Sequence, residues 1–301
     1  MANPHQIKES FLQLHTDRDS VIEHFDTNFI SWMQLIPPPI HDIISRLLPN
    51  FYYYSHKEIN ELLVTLHTKL NKDYHIKDHN ILHTYIKKES GKINSSIDYF
   101  SEYKRQNTIH PNLASDDLSR IPPNVWAQIQ NILIIDDCCG TGSSLEKFLE
   151  ESDVDFSGKT LYYLVIHSME DSLTLLNTLE LQFNIKINLL SINHKGKAFN
   201  LINATSSEKD IFITTCKSIG IKSNTILGWK KSEALIAFYN NTPNNTLGLF
   251  WQNIFDVSAP FPRRKHIHPA WEQPLTPSSM QELKKARTKS NYESKKPTQK
   301  E

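Results

Sequence analysis

The chain has 301 residues, of which 39% are apolar and 10% aromatic, enough to bury a substantial core. Thirty-three Lys and Arg balance thirty-three Asp and Glu at a sequence pI near 7.2, which excludes a generic polyanion-binding surface over the whole chain. Three cysteines without metal spacing, two of them adjacent, argue against a disulfide framework; with no apolar run of membrane-span length, a cytoplasmic protein that touches no membrane is expected.

Residues 1–75 read as a helical extension or hood. Ser55-His-Lys-Glu58 has the form of a capping box, followed by Ile59, Leu62, Leu63, Leu66 and Leu70 at helical spacing. The prolines at 37–39 break the helical stretch before it. The Phe51-Tyr-Tyr-Tyr54 cluster reads as core, with a stacking surface as its alternative.

From 76 to 262, apolar runs alternate with helical stretches, which predicts an α/β core built on a mainly parallel sheet flanked by helices. Candidate strands are residues 81–86, 132–136, 161–167, 185–192 and 235–239, with helices near 97–107, 144–151, 170–181 and 207–219. After the first strand comes a Gly91-Lys92 turn followed by Ser95 and Ser96 at a helix start, an element suited to an anion. The interval from Asn107 to Gln130 holds no convincing strand.

Ile132 to Ile135 then run without polar interruption into Asp136 and Asp137, as expected of a strand buried on both faces. Cys138, Cys139, Gly140, Thr141, Gly142, Ser143 and Ser144 follow, opening a helix. Backbone amides of such a loop, with the Thr141, Ser143 and Ser144 hydroxyls, favour phosphate. The two carboxylates repel phosphate and suit sugar hydroxyls or a hydrated metal. Adjacent strand residues face opposite ways, so their roles are expected to differ. No P-loop ending and no dinucleotide glycine spacing is present.

Four apolar residues, two acids, a short loop, Thr141-Gly142 and the hydroxyl of Ser144 resemble the signature of type I phosphoribosyltransferases. That resemblance implies that Asp136 and Asp137 hold the ribose hydroxyls of phosphoribosyl pyrophosphate (PRPP) and that residues 138–144 cradle its 5-phosphate. It also implies a pyrophosphate loop after the first core strand, where Lys92, Ser95 and Ser96 fall. Magnesium would arrive bound to PRPP, so no protein metal cage is expected.

Further on, Phe238-Tyr-Asn-Asn-Thr-Pro-Asn-Asn-Thr-Leu247 ends a strand in amides and hydroxyls, then returns to apolar residues at Phe250-Trp251. Turn chemistry explains the run, and Asn244 and Asn245 are also candidates to hydrogen-bond a base or ribose. Together with Ile226-Leu-Gly228 and the Asp-Asp loop, it resembles PRTase-CE, a phosphoribosyltransferase-like family of bacterial conflict systems, over residues 45–262. The resemblance implies an effector of anti-phage defence, acting on PRPP or a nucleotide beside a partner protein. Its alternatives are a non-catalytic sensor or a nucleic-acid-associated subunit.

From 263 to 301, ten Lys and Arg face four Asp and Glu with few large apolar residues. This predicts a flexible basic tail, with a short helix near residues 279–287 and a capacity to meet nucleic acid.

Overall fold

The computed structural model describes residues 3–87 and 95–263. Lys92 and the basic tail lie outside the described residues. Among those described, the strands are β1 (Tyr52–Tyr54), β2 (Leu82–Tyr85), β3 (Asn131–Cys139), β4 (Thr160–Met169), β5 (Lys186–Leu190), β6 (Asn193–Lys195) and β7 (Ile236–Phe238). The helices are α1 (Pro4–Leu14), α2 (Ser20–Gln34), α3 (His41–Leu47), α4 (His56–Asp73), α5 (Ser95–Gln106), α6 (Pro123–Trp126), α7 (Ser143–Glu151), α8 (Ser172–Phe183), α9 (Ala198–Leu201) and α10 (Ser206–Ser218).

The central sheet has the order β2-β3-β4-β5 and is parallel throughout, with β6 pairing β4 beyond the end of β5. Both faces are covered, as parallel sheets require. Ile132, Ile134, Leu161, Tyr163 and Val165 pack with Leu145, Phe148 and Leu149 of α7 and Leu176 and Leu179 of α8. Leu133, Ile135, Tyr162, Leu164 and Ile166 pack on the other side with Ile59, Leu63, Leu66 and Leu70 of α4 and Tyr99, Phe100 and Tyr103 of α5. The unbroken apolar run of 132–135 is thus a direct record of burial on two faces.

Three features differ from the sequence reading. Residues 235–239 do not extend the central sheet; β7 pairs with β1 in a separate parallel pair, Tyr52 opposite Ile236 and Tyr54 opposite Phe238. Alternation explains this pair as a partition: Phe51, Tyr53, Leu235 and Ala237 face one core, while Tyr54, Ile236 and Phe238 face another. The aromatic cluster at 51–54 is therefore core for three of its four residues, with Tyr52 half-buried.

The N-terminal helices, read as an appendage, share their core with the last third of the described chain. Phe11, Phe25, Phe29 and Trp32 pack with Phe199, Phe212, Phe250 and Phe261, and the chain through Arg263 forms one compact unit. Ser55 caps α4 by accepting the Glu58 N–H at 3.2 Å. A reciprocal capping box, at Thr205 and Glu208, starts α10, where the sequence reading assigned none.

The third difference is length: β3 continues past both carboxylates to Cys139, paired with β4 through Cys138 opposite His167 and Cys139 opposite Ser168. The loop proper is only Gly140 to Gly142. Between Asn107 and Gln130 the described chain has no strand in the sheet. It makes single turns along the open edge of β2, where Ala114 bridges His83 and the Thr84 hydroxyl donates to the Ser115 carbonyl at 2.9 Å.

Candidate functional site

The carboxyl end of β3 opens into a polar cavity, the place where ligands collect in open parallel sheets. Ser95, Ser96, Asp136, Asp137, Cys138, Cys139, the loop through Ser144, Asn244 and Asn245 all line it. Every expected site residue within the described chain is therefore brought to one cavity; Lys92 is not among the described residues.

The two carboxylates occupy different environments. Asp136 is 4% exposed, and its Oδ1 accepts the Ser96 hydroxyl at 2.6 Å and the Asp137 N–H at 2.9 Å, while its Oδ2 accepts the Tyr163 hydroxyl at 2.9 Å. Burial, reinforced by the neighbouring Asp137, pushes the Asp136 carboxyl up to about 8, and these three donors offset only part of that. Asp136 is thereby kept largely neutral beside a loop suited to anions. Asp137 is half-buried, lines the cavity and accepts the Ser95 hydroxyl. It is the carboxylate within reach of a ligand hydroxyl.

Ser95 and Ser96, read as pyrophosphate donors, thus spend their hydroxyls on the carboxylate pair. Their position at the first turn of α5 explains this: the helix start abuts the end of β3, and each serine faces one acid. Cys138 and Cys139 belong to the strand rather than to the loop, and burial raises both thiols, Cys139 to about 12. Neither is a thiolate nucleophile at neutral pH.

Gly142, at φ 79°, is the left-handed residue that turns the chain into α7, a conformation natural to glycine. Beside it the Thr141 and Ser143 hydroxyls stand 3.0 Å apart, and the first amides of α7 are free to point at an anion. Gly140 lets a neighbour approach closely: a Cβ there would come within 2.1 Å of the Asn245 side-chain nitrogen. Asn245 therefore packs its amide on the Gly140–Gly142 loop, while its carbonyl accepts from the Ala234 N–H at 3.0 Å and the Ser232 hydroxyl at 2.8 Å.

The PRTase-CE family model matches residues 32–263. The chain belongs to this phosphoribosyltransferase-like family. The match takes in the end of α2 and all of α3 and α4. No curated protein and no solved structure matches the chain significantly.

The PRTase-CE cavity also contains residues that the sequence reading passed over. Trp229, Asn241, Pro243 and Arg263 line it, and the Lys230 ammonium donates to the Ser143 hydroxyl at 2.7 Å. Arg263, assigned by sequence to the tail, is an exposed residue at the end of the compact unit whose guanidinium lies over the Trp251 ring; partial desolvation pulls its pKa down while Asp137 favours its charged form. The signal for these residues was weak: Lys230 follows the Ile226-Leu-Gly228 stretch, but only the fold carries it to a loop almost ninety positions earlier. Among the described residues no helix is long and apolar enough to cross a membrane.

Proposed function

We propose that this PRTase-CE chain binds PRPP, or a related phosphoribosyl nucleotide, and transfers the phosphoribosyl group to an acceptor as an effector of bacterial anti-phage defence. The observation that carries the reading is the division of labour at the end of β3: one buried carboxyl taken up by three donors, one accessible carboxylate, and a hydroxyl-rich loop capping a helix, all on one cavity. Asp137 would accept ribose hydroxyls and favour positive charge developing at the anomeric carbon as pyrophosphate departs. Asp136 is a positioning residue, holding the end of β3 against α5 through Ser96. Thr141, Ser143, Ser144 and the α7 amides would grip the 5-phosphate.

Asp137, the accessible carboxylate of the cavity, would help to hold a magnesium ion whose other ligands come from PRPP oxygens and water. When bound with PRPP, magnesium supplies charge neutralisation to the pyrophosphate. The acceptor class spans bases, nucleotides, nucleic acid and protein side chains.

A second reading, a sensor that binds PRPP without turnover, draws support from residues 107–130. In type I enzymes that interval contributes a mobile loop over the transition state; here it is tied to the edge of β2.

Calorimetry with PRPP and magnesium on the purified chain and on Asp137→Asn tests the binding. Micromolar binding that is weakened at least tenfold in the variant supports it, and absence of heat at millimolar PRPP sinks it. Pyrophosphate release on adding candidate acceptors separates transfer from sensing.

A further inference from the structure

Residues 228–233 make an unusual turn beside the phosphate loop. Lys230, Lys231 and Glu233 have φ values of 51°, 58° and 52°, in the left-handed region that L residues rarely adopt, and Gly228 lies at 73°. Three such residues in four positions persist only where the surroundings over-determine them.

The surroundings do so here. Trp229 N–H donates to the Asn244 carbonyl at 2.8 Å, Glu233 N–H to the Leu227 carbonyl at 2.9 Å, and the Ser232 hydroxyl to the Asn245 carbonyl at 2.8 Å. The Glu233 carboxylate, 2% exposed as a side chain, is paired with Lys209. At Gly228 a Cβ would fall 2.0 Å from the Asn245 carbonyl oxygen, so the turn is pressed directly onto residues 244–245.

The result is a lysine placed against the anion loop from a distant part of the chain. Lys230 Nζ is 2.7 Å from Ser143 Oγ, which is itself 3.0 Å from Thr141 Oγ1, at the first residue of α7. Among the described residues no carboxylate forms an ion pair with Lys230. It donates to a neutral hydroxyl, a weak counterpart for an ammonium group.

We infer that Lys230 is the cationic ligand of the 5-phosphate and makes the site select a 5-phosphorylated ribose over ribose itself. The inference rests on the phosphoribosyl reading above and adds to it the residue that supplies positive charge. A phosphate oxygen entering between the α7 amides and Nζ would exchange the ammonium-hydroxyl contact for a charge-assisted hydrogen bond.

Calorimetry with ribose 5-phosphate, ribose and PRPP, each with magnesium, tests it on the full chain, on Lys230→Gln and on Lys230→Arg. Lys230→Gln should weaken ribose 5-phosphate binding roughly 10–100-fold while leaving ribose unchanged, and Lys230→Arg should restore most of the loss. Lys230→Gly separates this from a structural role. Glycine suits the left-handed backbone, so that variant should melt at or above the parent temperature while binding ribose 5-phosphate as poorly as Lys230→Gln. If both uncharged variants bind ribose 5-phosphate within threefold of the parent, the inference is overturned while PRPP binding by the parent keeps the broader reading. If the parent binds no PRPP, both are lost.

Discussion

The Ser96 hydroxyl donates to the Asp136 carboxyl across 2.6 Å, joining the first turn of α5 to the end of β3 through two buried side chains. With the Tyr163 hydroxyl it is one of two side-chain donors to a carboxyl that burial makes costly to ionise. Ser96→Ala should therefore destabilise the fold by about 1–3 kcal/mol, the cost of leaving a buried polar group short of a partner. Chemical denaturation measures it; a change below experimental error would show that the bond contributes nothing to stability.

The raised Asp136 pKa has a definite sign in stability. The folded chain holds this proton up to about pH 8, whereas an unfolded carboxyl releases it near its ordinary value of 3.8. The folded state therefore binds the extra proton between these values, so its contribution is fully present below about 3.8 and is lost progressively as pH rises to about 8. Asp136→Asn mimics the protonated group and does not titrate. The variant should gain on the parent steadily from pH 5 to 8 and no further above it, as read from denaturation midpoints at fixed pH. A constant difference across that range would contradict the assignment.

How much of this was legible in the chain depends on range. Ile132 to Ile135 announced a doubly buried strand because burial on two faces leaves no polar position, and the Asp-Asp and Thr-Gly order marked the cavity because those contacts are local. The partnership of β7 with β1 was hidden, since the apolar run at 235–239 fits a central strand as well as a partition between two cores. Ser95 and Ser96 were read as pyrophosphate donors, yet their partners, the carboxylates some forty positions later, follow only from the packing of α5 on β3. Lys230 was missed for the same reason.

Two glycines pressed on Asn245 should behave differently. A Cβ at Gly140 would meet the end of the Asn245 side chain, which can rotate away, so Gly140→Ala should cost about 1 kcal/mol or less. A Cβ at Gly228 would meet the Asn245 backbone at 2.0 Å, and φ 73° adds a left-handed penalty, so Gly228→Ala should cost at least about 2 kcal/mol. Thermal or urea denaturation of the pair tests the order. Equal costs would mean that residues 244–245 yield as easily as a side chain.

Phe261 tests whether the N-terminal helices belong to the same cooperative unit as the end of the core. Its ring is fully buried, stacked on Phe51 at 4.4 Å between centroids and on Phe25 at 5.3 Å, and the Thr242 hydroxyl donates to its carbonyl at 2.8 Å. Phe261→Ala removes a ring shared by α2, the segment before β1 and the chain leading to Arg263. The loss should be about 3–5 kcal/mol, the usual range for deleting a buried aromatic ring. Because one core spans both ends of the described chain, unfolding should remain a single transition when followed by Trp32 on α2 and by Trp126 near the sheet, each isolated by replacing the other tryptophans with Phe. Separate midpoints for the two probes would show that the helices melt independently of the sheet that carries the site.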